Sequence, residues 1–526
     1  MSGSEPPYTL DPFEDFCAIS GHQTILLDDK LYITPGFGRV TISPTVNRTA
    51  SSPWVRVIDL SRSFSLDQTA SVSSVLPTSI IPVNIPNVQA SAFWFDPPSS
   101  SIIYAQGVPT VEGGVIRDPS LRSFGFRGKS WIGRYDTQNQ SFAPWQEVDT
   151  PFPRQNGLAS SLRKVFDPIK RKGYMYGGSV QPDDGSTRIP NRQLLTYDVA
   201  TMTWTNGTTE PGVFDVFGTA VPYRTGRGQL LSLIFGGNLN GAQLNMDVIY
   251  IHDTESDTWH QQRTNGPTPN GRQHFCATPI TSADQSSMQI IVYGGLGSNP
   301  YSDIHSLSIP SFTWTRLEAT SPLTIPGPSS RIQPTCNIVN NHILAIFGGR
   351  NLADGDTAHC DWNQNALFMY NLNERQWIFN YNASDKAAYR VPEDVYRVIG
   401  GNEYGNATLM APSDGFDTPQ LAELFAFGPQ ISPTIESGGP EPNPPEAGQT
   451  PRNVAAIVGG VIGGVIVVIA LVLLPLLYKQ FRKKKYQLYE SPPNGLPPTP
   501  GVEEGTQPGV EQSLPIAEER LRLFGL

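Results

Sequence analysis

Charge is scarce in this chain. Asp, Glu, Lys and Arg make up 16% of its 526 residues, where an ordinary soluble domain has about 25%. That argues against a helical bundle or coiled coil, whose exposed faces are charge-rich. No basic footprint exists either: the net charge is −10, which argues against nucleic acid as the main partner. Several catalytic signatures are absent. Without Gly-x-Ser-x-Gly, a phosphate loop, a dinucleotide fingerprint or His-Glu-x-x-His, hydrolase and nucleotide chemistry have no foothold. Glycine and proline, by contrast, are abundant. There are 49 Gly and 48 Pro, about 18% together against a background near 12%. Both break helix interiors. With 38% hydrophobic and 10% aromatic residues the chain can still build a substantial core. A turn-rich β protein remains.

One long apolar run divides the chain. Val454 to Tyr478 is 25 residues without a charge, long enough as a helix to cross a bilayer core of about 30 Å. Arg452 lies on its N-terminal side; Lys479, Arg482, Lys483, Lys484 and Lys485 follow it. The positive-inside bias predicts a cytoplasmic C-terminus and an extracytoplasmic N-terminal region, at the plasma membrane or in the secretory pathway. Asn-x-Ser/Thr sequons occur at Asn47, Asn139, Asn206, Asn382 and Asn406, all before the run, in agreement with that topology. The first 16 residues lack a basic region and an apolar core, so no signal peptide is visible. The expectation is therefore a truncated or mis-assigned start. The alternative is a tail-anchored protein with a cytosolic domain. Gly459, Gly460, Gly463 and Gly464 form two overlapping Gly-x-x-x-Gly patterns, a candidate self-association face.

The region before the run repeats. Tyr174-Met175-Tyr176-Gly177-Gly178 is followed by Leu233-Ile234-Phe235-Gly236-Gly237, Ile291-Val292-Tyr293-Gly294-Gly295 and Ala345-Ile346-Phe347-Gly348-Gly349. The glycine pairs are 59, 58 and 54 residues apart. Trp204, Trp259, Trp314 and Trp377 come after them, each seven residues beyond the end of a second apolar run at Tyr197, His252, Leu307 and Tyr370. Such a period is the signature of a propeller blade. A strand ends at each Gly-Gly, where the chain turns with positive φ near an axis. The tryptophan packs between sheets.

These motifs resemble the kelch family of β-propellers, well over residues 165–380 and more weakly before. Phe16-Cys17-Ala18-Ile19-Ser20-Gly21-His22-Gln23 is similar to the first blade of fungal kelch-repeat surface proteins with one C-terminal span. In the first blade Lys30-Leu31-Tyr32-Ile33-Thr34-Pro35-Gly36 replaces the di-glycine segment, and Ser65 takes the aromatic slot; Phe142 takes it in the second. The fold expected is all-β: a kelch-type propeller of six blades starting near residues 16, 88, 157, 216, 274 and 333, plus one transmembrane helix. Residues 381–428 would complete the sixth blade or begin a seventh. The domain layout is an N-terminal segment (1–15), the propeller (16–428), a Pro-rich stalk (429–453), the span (454–478) and a Pro-rich disordered cytoplasmic tail (479–526).

Chemistry has few candidates. Kelch-type copper-radical oxidases resembling galactose oxidase need a Tyr-His dipeptide, which this chain lacks, and its seven histidines are scattered. His22 and His274 occupy corresponding blade positions, which suggests a structural role. Asp354, Asp356, His359 and Asp361 could ligate a metal, but their spacing matches no calcium or zinc pattern. No cofactor or metal is expected. Cys17, Cys276 and Cys336 fall at similar blade positions and Cys360 in a loop; one disulfide is expected, involving Cys360, with three connectivities open. The function expected is a membrane-anchored binding module whose loops hold a protein or glycan ligand. The alternative is a membrane-tethered oxidoreductase on the same scaffold.

Overall fold

The computed structural model describes residues between 16 and 426, without a break over 217–239, 241–317, 327–351 and 366–426 and in shorter stretches before 217. Five four-stranded antiparallel sheets dominate it. The first joins Thr24–Leu27, Lys30–Ile33, Trp54–Asp59 and Thr78–Pro82. The second holds Arg163–Asp167, Lys172–Tyr176, Gln193–Asp198 and Thr203–Thr208, and the third Thr219–Arg224, Leu230–Phe235, Val248–Asp253 and Thr258–Arg263. Cys276–Thr281, Met288–Tyr293, Ile304–Ile309 and Thr313–Arg316 make the fourth; Thr335–Val339, Ile343–Phe347, Leu367–Asn371 and Gln376–Ile378 the fifth. Each is a blade in which the chain meanders from an inner strand outwards. From the second blade to the fifth the first strands of successive blades lie side by side, the first blade's Thr24–Leu27 lies beside Ala92–Asp96, and the fifth blade returns to the first. There Thr24 Oγ1 donates to Asn337 Oδ1 at 2.6 Å.

This corrects the expected six or seven blades; the expected membrane helix is not found among the described residues. Among the described residues there are five four-stranded blades. Ala92–Asp96, Ser101–Ala105, Lys129–Asp136, Ser141–Phe142 and Gln146–Asp149 form a five-stranded sheet instead, because the strand Lys129–Asp136 is eight residues long and divides its outer edge between two partners. Tyr135-Asp136 pairs with Ser141–Phe142, whereas Lys129–Ile132 pairs with Gln146–Asp149. Among the described residues no helix is long and apolar enough to cross a membrane. The run 454–478, with Gly459, Gly460, Gly463 and Gly464, lies outside them, as do the stalk, the tail and the 354–361 cluster.

The seven-residue offset between apolar run and tryptophan has a direct structural meaning. Tyr197 faces Trp204, His252 faces Trp259, Leu307 faces Trp314 and Tyr370 faces Trp377, each as a cross-strand partner of the outer hairpin. The short turn fixes that register. An Asp or Asn closing the third strand caps it: Asp198 Oδ1 accepts from the Ala200 N–H, Asp253 Oδ1 from Glu255 and Asn371 Oδ1 from Asn373, each at 2.9 Å.

The slot expected for Ser65 is corrected. Ser65 fills no aromatic slot in the first blade, whose outer strand is Thr78–Pro82. Phe64–Ser65 instead pairs with Asn380–Tyr381 from the far end of the repeat. Tyr381 stacks on Phe64 with ring centroids 4.9 Å apart, and its hydroxyl donates to Asn340 Oδ1 at 2.8 Å.

Beyond the ring, residues 382–426 form neither a sixth nor a seventh blade. They make a strap with two short helices, α1 (Glu393–Ile399) and α2 (Pro419–Leu424). Pro392 sits before α1, and Thr418 caps α2 by accepting from the Leu421 N–H at 3.3 Å. The strap bears on turns at the end of the strands opposite the di-glycines and, at the edge of the third blade, on the di-glycine end of Thr258–Arg263. Lys386 reaches Asp29 (2.8 Å), Asn373 Nδ2 donates to the Ala388 carbonyl (2.9 Å), and the Ala407 N–H donates to Ser286 Oγ (3.0 Å). Arg263 pairs with Asp417 at 2.9 Å, and Phe425 packs on Tyr223 and Phe312 at 4.9 and 5.2 Å.

Where one disulfide was expected the structure has two, and Cys360, the expected participant, lies outside the described residues. Cys276 and Cys336 form a disulfide, with Cα atoms 5.5 Å apart, and Cys17 is disulfide-bonded as well. Cys276 pairs with Tyr293, just before a di-glycine, whereas Cys336 pairs with Ile346, one residue deeper. That offset turns the two side chains to opposite sheet faces, so they meet between neighbouring blades. Cys17 lies on Phe16–Ser20, which pairs with Phe37–Ser43 and is not an inner strand.

Candidate functional face

The four di-glycines gather at one end of the strands. All eight residues have positive φ, from 59° at Gly177 to 102° at Gly237. The backbone explains why glycine is needed. The N–H of the second glycine crosses to the next blade: Gly237 donates to the Arg272 carbonyl (2.8 Å), Gly295 to Arg331 (2.8 Å) and Gly349 to Ile19 (2.9 Å). A Cβ on Gly236 would lie 2.6 Å from the Phe275 ring, and one on Gly348 2.6 Å from the Ile19 carbonyl. Gly36 has the same constraint, 2.6 Å from the Ser20 carbonyl. No side chain fits where blades approach this closely.

A set of arginines that sequence reasoning missed reinforces this end. Arg163, Arg272 and Arg331 are buried, and each donates to a di-glycine carbonyl: Gly236 (2.5 Å), Gly294 (3.0 Å) and Gly349 (3.3 Å). Arg272 also grips Asp303 through two nitrogens, at 2.7 and 3.1 Å, while its guanidinium lies 4.2 Å over Tyr301. His305 Nε2 sits 2.9 Å from the same carboxylate. Burial alone would raise the Asp303 carboxyl, but hydrogen bonds from His305 and Arg272 outweigh it and hold the group below the ordinary carboxylate range. The loop Leu296–Asp303 is therefore fixed at both ends, with the Leu296 N–H bonded to the Gln273 carbonyl and the Tyr301 N–H to Gly295, both at 2.8 Å. Ser298 and Asn299 project from its tip, exposed. The sequence signal for these arginines is irregular: Arg272 and Arg331 each stand four residues before a first strand, whereas Arg163 opens its own.

Phe217, His274 and Gln333 sit just before three consecutive first strands, with φ of 65°, 59° and 58°. They are stitched blade to blade: the His274 N–H donates to Phe217 and the Gln333 N–H to His274, each at 2.8 Å. The His274 ring lies on Phe217 with centroids 3.8 Å apart. Burial, helped by Arg350, pushes its pKa down to about 3. His22, also ahead of a first strand, is buried, with Nε2 3.0 Å from Thr335 Oγ1 of the last blade and a pKa driven to about 3 by burial.

The tryptophans lie away from this face, in the outer hairpins. Trp314 is wholly buried, Trp204 nearly so, and Trp259 and Trp377 are half-buried. One buried polar chain ties the second blade to the third. The Tyr176 hydroxyl donates to Ser232 Oγ at 2.7 Å and lies 3.0 Å from His252 Nδ1, whose Nε2 is 2.9 Å from Asp257. It joins the two blades directly. Tyr176→Phe leaves Ser232 and His252 without that hydroxyl and is expected to cost about 1–2 kcal/mol, measured as a shift in denaturant midpoint.

Of the sequons, Asn206 is exposed on the outer strand Thr203–Thr208, Asn382 is exposed just past ring closure, and Asn406 is exposed on the strap. Asn47 lies on Val46–Ser51, and Asn139 falls outside the described residues. Among the described residues no three His, Cys, Asp or Glu side chains gather as a metal site.

Comparison with known proteins follows this geometry. A profile for the KLHDC2/KLHL20/DRC7 Kelch-repeats domain matches residues 219–390. A kelch repeat-containing protein of Arthroderma benhamiae is 27% identical over 525 aligned positions, covering 87% of this chain and 74% of that protein. Host cell factor 1 of Homo sapiens is 28% identical over 121 residues, 23% of this chain but only 6% of that protein. The solved structure of YjhT superposes with a TM-score of 0.42 at 12% identity, over 70% of this chain and 99% of that one. The profile and the Arthroderma relative support kelch repeats in this chain.

Proposed function

We propose that this kelch-repeat β-propeller is a protein-interaction module whose partner docks on the di-glycine face. The observation that carries this is the asymmetry between the two ends. Turns at the other end are engaged by the strap through Asp29, Ser286 and Asn373. At the di-glycine end the Arg272–Asp303 clamp holds the exposed Ser298 and Asn299 on a preorganised loop, which reduces the ordering cost of binding. A surface loop on a rigid scaffold is where a propeller carries recognition.

The setting we propose is a membrane, with the propeller on the extracytoplasmic side, at the plasma membrane or in the secretory pathway. Supporting it are the charge-free run 454–478, the basic cluster Lys479–Lys485 and the one-sided sequons. A glycan on the partner is the other ligand class compatible with such a location.

Proximity labelling from the full-length chain tests the docking face. The paired substitution Ser298→Arg and Asn299→Arg is expected to reduce recovery of wild-type partners at least about tenfold, the equivalent of roughly 1.4 kcal/mol. Tyr404→Ser, exposed on the strap, is expected to leave the labelled set unchanged. The reverse outcome places the docking surface on the strap side.

A further inference from the structure

We propose that Asn206 carries an N-glycan and that this glycan shields an open sheet edge from pairing with a second chain. The inference rests on the extracytoplasmic placement proposed above and adds a purpose for one particular sequon.

The strand Thr203–Thr208 is the outermost of its blade: Gln193–Asp198 pairs with one side of it, with Leu195 opposite Asn206, and its sheet ends there. Half the backbone N–H and C=O groups of such a strand point away from the sheet, a template for another strand. Of its six residues only Trp204 is buried and the rest are exposed. Three are threonine, a residue that favours strands, and the segment contains no charge and no proline. The usual edge protections, a Lys or a Pro in the strand or a covering element among the described residues, are missing.

Other outer strands whose side chains are described do not share that deficit. Thr258–Arg263 ends in Arg263, clamped by Asp417 of the strap. Thr313–Arg316 carries Arg316 and packs beside α1. Gln376–Ile378 is only three residues long and follows Arg375, which pairs with Asp394. The neutral Thr203–Thr208 edge is the one among these four with a sequon, Asn206-Gly207-Thr208, near its middle. A branched, hydrated sugar rooted at Asn206 would occupy the space an incoming strand needs, the service a charge performs elsewhere.

Asn47 also lies on an edge strand, Val46–Ser51, but that strand carries the charge of Arg48. The other two described sequons sit in different settings. The Asn382 carboxamide oxygen accepts from the Ser384 N–H at 3.1 Å beside the ring closure. Asn406 has a φ of 58°, and its N–H is bound to Asp284 at 2.5 Å. Neither lies on a sheet edge.

The test expresses the full-length chain in eukaryotic cells with a glycosylating secretory pathway. Asn206→Gln and Thr208→Ala each remove the sequon; Asn206→Lys removes it but restores a charge. Peptide mass spectrometry reads occupancy at Asn206, and light scattering of the solubilised protein reads self-association. Wild type is expected to be glycosylated at Asn206 and to disperse. N206Q and T208A are expected to lose that glycan and to self-associate about threefold more or worse, while N206K disperses like wild type. Occupied sequons elsewhere with Asn206 bare overturn the proposal, as does loss of the glycan without self-association. Absence of glycan at every sequon overturns the extracytoplasmic placement itself.

Discussion

Trp314→Ala is expected to destabilise the propeller by about 3–5 kcal/mol, the usual cost of truncating a fully buried tryptophan. Trp314 is wholly buried and stands between the third and fourth blades. Its ring meets Phe235 of the preceding blade edge-on at 6.1 Å, and its Nε1 donates to the Met246 carbonyl at 3.0 Å. The substitution therefore opens a cavity and orphans a carbonyl at a blade junction. Trp259 and Trp377 occupy the same hairpin position but are half-buried, so their alanine variants should cost roughly 1–3 kcal/mol. Guanidinium unfolding of the three variants checks the order. Equal costs at all three sites would sink the account of Trp314 as an inter-blade wedge.

Acid is expected to destabilise the molecule well before its carboxylates titrate. His22 and His274 have pKa values near 3 in the folded chain, both mainly through burial, against an unfolded value of 6.5. Burial also lowers His252, although Asp257 opposes it. Between pH 6.5 and about 3 the unfolded chain therefore binds protons that the folded chain refuses. Stability is full above pH 6.5 and falls as pH drops, by about 1 kcal/mol per pH unit for His22. His274, partly open to solvent, contributes less. Asp303 adds a later loss: hydrogen bonds from His305 and Arg272 overcome burial to lower it, so its stabilisation fades only below about pH 4. Unfolding free energy measured from pH 7 to 4 should show this slope, and His22→Gln, which can still hydrogen-bond to Thr335, should flatten it. A His22 resonance titrating near pH 6.5 in the native state would contradict the prediction.

Much of the blade was legible because its logic is local. Gly-Gly and the tryptophan seven residues past the third strand report contacts that close within one hairpin, so Tyr197 opposite Trp204 follows from chain spacing and strand register. The glycine pairs also betray the crowded end of each blade, although the carbonyls that crowd them lie in the next one. The buried arginines were hidden. Nothing near Arg272 in the sequence announces Asp303, 31 residues on, or the Gly294 carbonyl beside it.

Low charge and the glycine and proline excess determined by themselves that this is a turn-rich β protein, and periodicity made it a repeat of strands around an axis. Tertiary structure decided the rest. The five-bladed count depends on how Lys129–Asp136 divides its partners. The disulfide depends on a one-residue difference in register between Cys276 and Cys336, which spacing does not show but which reverses the direction of a side chain. Closure joins Phe64–Ser65 to Asn380–Tyr381, and the strap brings Lys386 to Asp29, 357 residues away. Short-range register is written in a few neighbouring residues. Pairings across hundreds of residues are selected only when the whole ring buries its faces together.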